Sequence, residues 1–254
     1  MSKHDNVLTL TKILIKSRLH HIKNLFSGKK SPVEIKTDYG NYLIEPKTSM
    51  YWIVEEIVKK KIYDVKKTPN EKDVILDLGM NIGIYSVYAS KRFGSKIIGV
   101  EPVRDNFNIA VKNIKHNKLD EFIITLNKAV SNKDGEKLKL WIDDKNVGGH
   151  STIKDLGRKR KRYEEVETVS LLTLIKEYNP NVIKCDIEGA EWEIFTENNF
   201  DLMKNVYLVM MEVHQFENHN IEDMKKLFEK NNYKTSLVKD DWDQKSAMLY
   251  AIKE

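Results

Sequence analysis

At 254 residues, with 41% hydrophobic and 32% charged side chains, the chain is long and apolar enough to bury one substantial core and too evenly charged for a membrane channel. Its single cysteine, Cys185, excludes an internal disulfide and any zinc site built on cysteine pairs, and predicts a reducing, cytoplasmic setting. The net charge of +5 is local: residues 1–30 hold seven Lys or Arg against one acid, so the remainder sums to −1 and no basic groove for nucleic acid is expected.

In that basic segment Leu8, Ile15, Leu19, Ile22 and Phe26 share one helical face, which predicts an amphipathic helix. No stretch reaches the roughly 18 apolar residues of a spanning helix, and no small-residue cleavage site follows. The helix is expected to dock on its own domain or on a second subunit, or to lie peripherally on an anionic membrane at its inner face. Residues 33–45 alternate around Asp38, Tyr39 and Gly40 and predict a hairpin, followed by a helix over residues 49–63. Thr68, Pro69 and Asn70 then punctuate the chain, so residues 1–69 read as an N-terminal extension and 70–254 as the main domain.

From Asp73 onward short β-rich runs alternate with amphipathic windows, the pattern of an α/β fold with a parallel sheet covered on both faces. Strands are predicted at 74–78, 96–101, 122–127, 182–186 and 206–213, and helices at 83–92, 104–116, 170–178, 190–198 and 221–231. The runs 233–239 and 246–252 have no helical window between them and predict a closing antiparallel pair. Residues 136–142 alternate like an additional strand. Residues 143–168, containing GGHS and the run Arg158 to Arg162, read as one long connection over the sheet edge.

The glycine turn DLGMNIG, residues 77–83, follows the first of these strands. It lacks the G-x-G-x-x-G spacing that lets backbone approach a pyrophosphate, and no Walker lysine pattern occurs. A carboxylate at Asp77 would repel pyrophosphate and welcome a ligand bearing an ammonium and a sulfonium. Glu101 closes the next strand, twenty-two residues beyond Gly79, where a carboxylate commonly accepts both ribose hydroxyls. Together these features describe a site for a cationic nucleoside.

The stretches VILDLGMNIGIYSVYA, IIGVEPVRDNF, NKAVSNKDGE, GGHS, VETVSLLTL and VIKCDIEGAEWEIF, in this order, resemble the FkbM family of S-adenosylmethionine-dependent methyltransferases over residues 70–215. The resemblance implies a Rossmann-like, seven-stranded class I methyltransferase sheet with its last strand antiparallel. It implies S-adenosylmethionine at Asp77, Gly79, Asn81, Gly83 and Glu101, with Ala129, Val130 and Ser131 near the adenine. Met80 stands where a smaller residue, often alanine, is expected, and residues 1–30 lie outside the family pattern.

Methyl transfer is an in-line displacement that needs an aligned nucleophile and, for an alcohol, help in removing its proton. Asp186 and Glu188 end the strand VIKCD, while Glu212 and His214 end VMMEVH, at the strand ends where open sheets place ligands. Three readings stay open. Asp186, Glu188 and His214 can be catalytic, with His214 or Glu188 the base and Glu212 near the acceptor. Asp186, Glu188, Glu212 and His214 can instead gather a divalent metal. Or Glu188 can begin a helix, favourable against its dipole, while His214 satisfies a backbone group. Glu191 and Glu193, in the following helix, are expected to be solvated.

His150 in GGHS resembles a family loop position, which implies contact with the acceptor, and by itself reads as a surface histidine; the run Arg158 to Arg162 is expected either to recognise an anionic group or to be a solvated loop. Amine methylation in nucleic acids uses an N-P-P-Y/F strand end where this chain has CDIEGA. The family resemblance implies the expected function, O-methyl transfer to a hydroxyl of a glycan, a lipid-linked saccharide or a small metabolite. Two readings from other classes remain: an NAD-dependent oxidoreductase, opposed by Asp77 and the missing third glycine, and a non-catalytic, membrane-associated nucleoside-binding module.

Overall fold

The computed structural model describes residues 32–45, 49–142, 150–151, 162–239 and 245–253. The basic amphipathic segment lies outside these residues, as does the run Arg158 to Arg162 except for Arg162 itself.

The hairpin forms as β1 (Val33–Thr37) and β2 (Gly40–Ile44), and the following helix as α1 (Met50–Val54) continued by a π-helical stretch, Glu55–Lys60. It stops short of Tyr63 because Lys61 takes a left-handed conformation, φ 56°. Next come β3 (Val74–Leu78), α2 (Ile84–Phe93), β4 (Lys96–Val100), α3 (Arg104–His116), β5 (Ile123–Leu126) and the short β6 (Ala129–Ser131). β7 (Lys137–Ile142) and β8 (Arg162–Ser170) lead to α4 (Leu171–Tyr178), β9 (Val182–Cys185) and α5 (Glu191–Ile194). The chain ends with β10 (Leu208–His214), α6 (Ile221–Lys230), β11 (Lys234–Lys239) and β12 (Ser246–Ile252).

The main sheet has seven strands in the order β11-β12-β10-β9-β3-β4-β5. β12, the last strand in the chain, runs antiparallel to both neighbours, and β10, β9, β3, β4 and β5 pair in parallel. This is the expected architecture. The central strands are apolar on both faces except at Asp77 of β3 and Lys184 of β9, and one buried cluster lies on each side of the sheet. The described part of the segment before residue 70 joins the first cluster: Tyr42, Met50, Val54 and Tyr63 pack with Ile82, Tyr85 and Tyr88. Asn113 of α3 and Asn117, which caps its C-terminus, clip the hairpin on, each side-chain oxygen accepting from a β2 amide, Leu43 and Asn41, at 2.6 and 2.9 Å.

Two expectations need correction. The stretch read as a connection to residue 168 becomes a strand from Arg162, because β8 pairs along its length with β7, Arg162 opposite Ile142 through Glu167 opposite Lys137, while β6 adds on its other side. The helix read over 190–198 is only one turn of α-helix, Glu191–Ile194, followed by a 3-10 turn, Glu197–Asn199. Phe195 leaves the helical conformation and is buried, its ring 5.4 Å from Phe228, while the Asn199 amide donates to the Ile194 carbonyl at 2.7 Å.

Candidate functional site

The chain steps from β3 outward to β4 and β5, then returns to place β9 on the other side of β3. The segments that leave the carboxyl ends of β3 and β9 therefore pass to opposite faces of the sheet, α2 packing into one buried cluster and α5 into the other, at the switch point where open α/β folds bind ligands. A cleft of about 590 Å³, counted with solvent at its mouth, opens there. Gly79, Asn81, Glu101, Ala129, Val130, His150, Asp186 and Glu188 line it, and so do Val103, Asn106 and Leu140. Those last three were missed in the sequence; Val103 and Asn106 stand directly behind Glu101, in the quoted stretch EPVRDNF, but apolar or amide side chains carry no chemical signal of their own.

The glycine turn is built to let a ligand close. Gly79 has φ +76°, and a Cβ there would stand 1.8 Å from the Asp186 carbonyl oxygen, so the β3 and β9 ends touch backbone to backbone. The bulk of Met80 is accommodated on the opposite side: its sulfur occupies the space a Cβ at Gly99 of β4 would fill. Asn81, φ 52°, donates its amide to Glu101 Oε2 at 2.9 Å, and Val103 N–H donates to Glu101 Oε1 at 2.9 Å. Two fixed donors thus orient the Glu101 carboxyl at the cleft wall, each oxygen keeping a lone pair for a further partner. Burial pushes its pKa up to about 7, against the pull of those amides and of the Lys184 charge. Gly83 caps α2 behind the cleft, and Ser131 turns away from it to donate to Glu193 Oε1 at 2.8 Å. Glu193 stays exposed but is therefore not simply solvated.

Asp77 corrects the electrostatic argument drawn from the sequence. Its side chain is fully buried behind the turn and does not line the cleft. Oδ2 accepts from the Ser86 hydroxyl at 2.6 Å, and Oδ1 faces the Lys184 ammonium at 3.2 Å, an ion pair outside hydrogen-bonding geometry. The charge expected to meet a cationic ligand is already met within the protein. The carboxyl groups on the cleft wall are instead Glu101, Asp186 and Glu188.

Beside the cleft, the ends of β9 and β10 gather the second group. Glu188 does not begin a helix: it sits in a left-handed turn, φ 51°, and Gly189 follows at φ 102°. That turn swings Glu191 inward, so Glu191 is fully buried rather than solvated. Its carboxylate accepts from the Gly189 amide at 2.8 Å, from the His214 amide at 2.6 Å and from His214 Nδ1 at 3.0 Å. His214 thus bonds a carboxylate through its ring, not a backbone group. Its Nε2 faces Glu188 and Glu212, each at 3.8 Å. Burial acts to lower the His214 pKa, but Glu191, Glu212 and Glu188 together outweigh it and hold the ring well above its ordinary value. Glu212 is pushed up to about 7, by burial first and by Asp186 next. Asp186, Glu212 and His214 each offer one ligand atom, all within 4.8 Å of one another.

His150 reaches the cleft because Ser151 beside it donates to the Glu188 carbonyl at 2.5 Å and pairs with Trp141 of β7. The arrangement fits S-adenosylmethionine: apolar walls from Val103, Val130 and Leu140, an oriented carboxyl at Glu101, and a negatively charged end at Asp186 and Glu188.

A family model described as the methyltransferase FkbM domain matches residues 77–235. The chain is 26% identical over 212 residues to methyltransferase sdnD of Sordaria araneosa, covering 69% of this chain and 80% of that protein. It is 23% identical over 174 residues to the hexuronic acid methyltransferase AglP of Haloferax volcanii, covering 68% and 69%. Among solved structures, TYW2 of M. jannaschii in complex with AdoMet superposes with a TM-score of 0.52 at 17% identity, covering 88% of this chain and 86% of that one, which is a likeness of fold.

Proposed function

This chain belongs to the FkbM methyltransferase family, whose methyl donor is S-adenosylmethionine, and from that premise we propose that it transfers the methyl group to an oxygen of a saccharide or similar small acceptor. The cofactor would rest against Gly79, Asn81, Glu101, Ala129 and Val130, and it supplies an electrophilic methyl carbon. The observation that carries the oxygen assignment is the Glu191–His214 pair. Glu191 fixes the ring through Nδ1, which leaves Nε2 as the atom that takes the acceptor's proton. The carboxylates of Glu188 and Glu212 favour the imidazolium formed there. Asp186 and Glu188, on the cleft wall, orient the acceptor, with His150 held beside them by the Ser151 contact to Glu188. The name of the hexuronic acid methyltransferase supports a saccharide acceptor rich in hydroxyl and carboxyl oxygens.

The test is a panel of uronic acids, neutral sugars and lipid-linked saccharides incubated with enzyme and cofactor, read as a mass gain of one methyl. His214→Ala is expected to lower turnover by about 100-fold or more while cofactor affinity changes little; unchanged turnover would remove His214 from the reaction. The close grouping of Asp186, Glu212 and His214 favours a second reading, in which a divalent cation binds there and holds the acceptor oxygen. Chelation by EDTA separates the two: activity survives it under the first reading and is lost, then restored by added metal, under the second.

A further inference from the structure

We infer that Lys184 sets how strongly the cleft prefers a positively charged sulfur nucleoside over its neutral counterpart. The inference rests on the S-adenosylmethionine reading and extends it to a residue that does not line the cleft.

Lys184 lies in β9, 3% exposed, beneath the glycine turn. Its ammonium donates to the Gly79 carbonyl at 2.7 Å and the Leu78 carbonyl at 3.4 Å, stands 3.2 Å from Asp77 Oδ1, and sits 5.7 Å from the Tyr63 ring centroid. Gly79 lines the cleft, so the ammonium is separated from it by one peptide group. Burial acts to discharge such a lysine, but Asp77 and then Asp186 outweigh it and keep the group protonated. Inside the sheet Asp77 and Lys184 therefore cancel, and the turn that faces the ligand is held by a balanced pair.

S-adenosylmethionine and S-adenosylhomocysteine share adenosine and amino-acid tail and differ by a methyl group and one positive charge at sulfur. Their affinity ratio therefore reports the field at the cleft, whereas looser packing of the turn weakens both together. A unit charge roughly 10 Å away, at an effective dielectric of about 20, changes an affinity by about tenfold. Lys184→Met uncovers Asp77 and should raise the preference for the sulfonium form by about that factor. Asp77→Asn uncovers Lys184 and should lower it by a similar factor. The double variant is neutral again and should return to within about twofold of the wild-type ratio.

The experiment is calorimetric titration of the full chain and these three variants with both nucleosides. The opposed shifts of the single variants and the recovery in the double are the expected result. Should Lys184→Met fail to fold with its uncompensated buried carboxylate, the Asp77→Asn shift and its reversal in the double decide the matter alone. Ratios unchanged in variants that still bind both ligands would overturn the role of Lys184. Wild-type protein that binds neither ligand would instead overturn the cofactor reading beneath it.

Discussion

Glu191 decides what His214 can do. By period alone it looks like a solvated residue in the first turn of an acidic helix, and only the left-handed pair Glu188 and Gly189 brings it under the β10 end. That reversal is a tertiary fact with no local signature, which is why the strand-end residues Asp186, Glu188, Glu212 and His214 were legible and their organiser was not. Removing its charge tests the arrangement. The His214 ring has its pKa raised, so it must lose a proton before it can serve as base, and activity should rise with pH through a point above 6.5. Glu191→Gln weakens the imidazolium, so the rising limb of the kcat/KM profile should move to lower pH while the plateau falls about tenfold or more. A limb that stays in place would assign the pH dependence to another group.

At the scale of elements, the turn between β3 and α2 was legible because its glycines and its flanking apolar run obey simple rules. Its neighbours were less so. That Met80 fits depends on Gly99 of the adjacent strand β4, and that Asp77 is silent toward the ligand depends on Lys184, its register partner on the neighbouring strand β9. The shortened α5 depends on where Phe195 can be buried. Close contact between strand ends makes a clear prediction. Gly79→Ala places a methyl group against the Asp186 carbonyl, where nothing flexible can yield, and should cost several kcal/mol, on the order of 3 or more, along with cofactor binding. Gly135→Ala has a similar positive φ, +69°, but meets nothing within 4 Å, so it should cost only about 1 kcal/mol, the penalty of the left-handed conformation itself. Denaturant midpoints of the two variants check this. Equal losses would mean that conformation, not contact, governs the turn.

For the molecule as a whole, the parallel sheet and its closing antiparallel pair followed from the rhythm of apolar runs, while β8 escaped notice because its first six residues, Arg162 to Glu167, include three acids and bury no side chain. The raised carboxyl at Glu101 adds a property that no motif announces. Folded and unfolded chains differ in proton binding between the ordinary value, 4.5, and about 7, with the folded state holding more. Stability of the free protein contributed by this group is therefore present below 4.5 and lost as pH rises toward 7, at a slope of up to about 1.4 kcal/mol per pH unit. Glu212 and His214, also raised, act in the same direction, the first discounted by its partial exposure and the second above 6.5. Thermal midpoints of wild type should fall from pH 5 to 8, and Glu101→Gln should flatten that fall; a slope unaffected by the substitution would show that Glu101 ionises normally.

All of this depends on the cleft at the switch point accepting one kind of nucleoside. The direct measurement is calorimetric titration of the intact chain with S-adenosylmethionine and, separately, with NAD. Saturable one-to-one binding of the sulfur nucleoside, with Glu101→Gln weakening it and no heat from NAD, is the result expected; preferential binding of NAD would contradict the assignment.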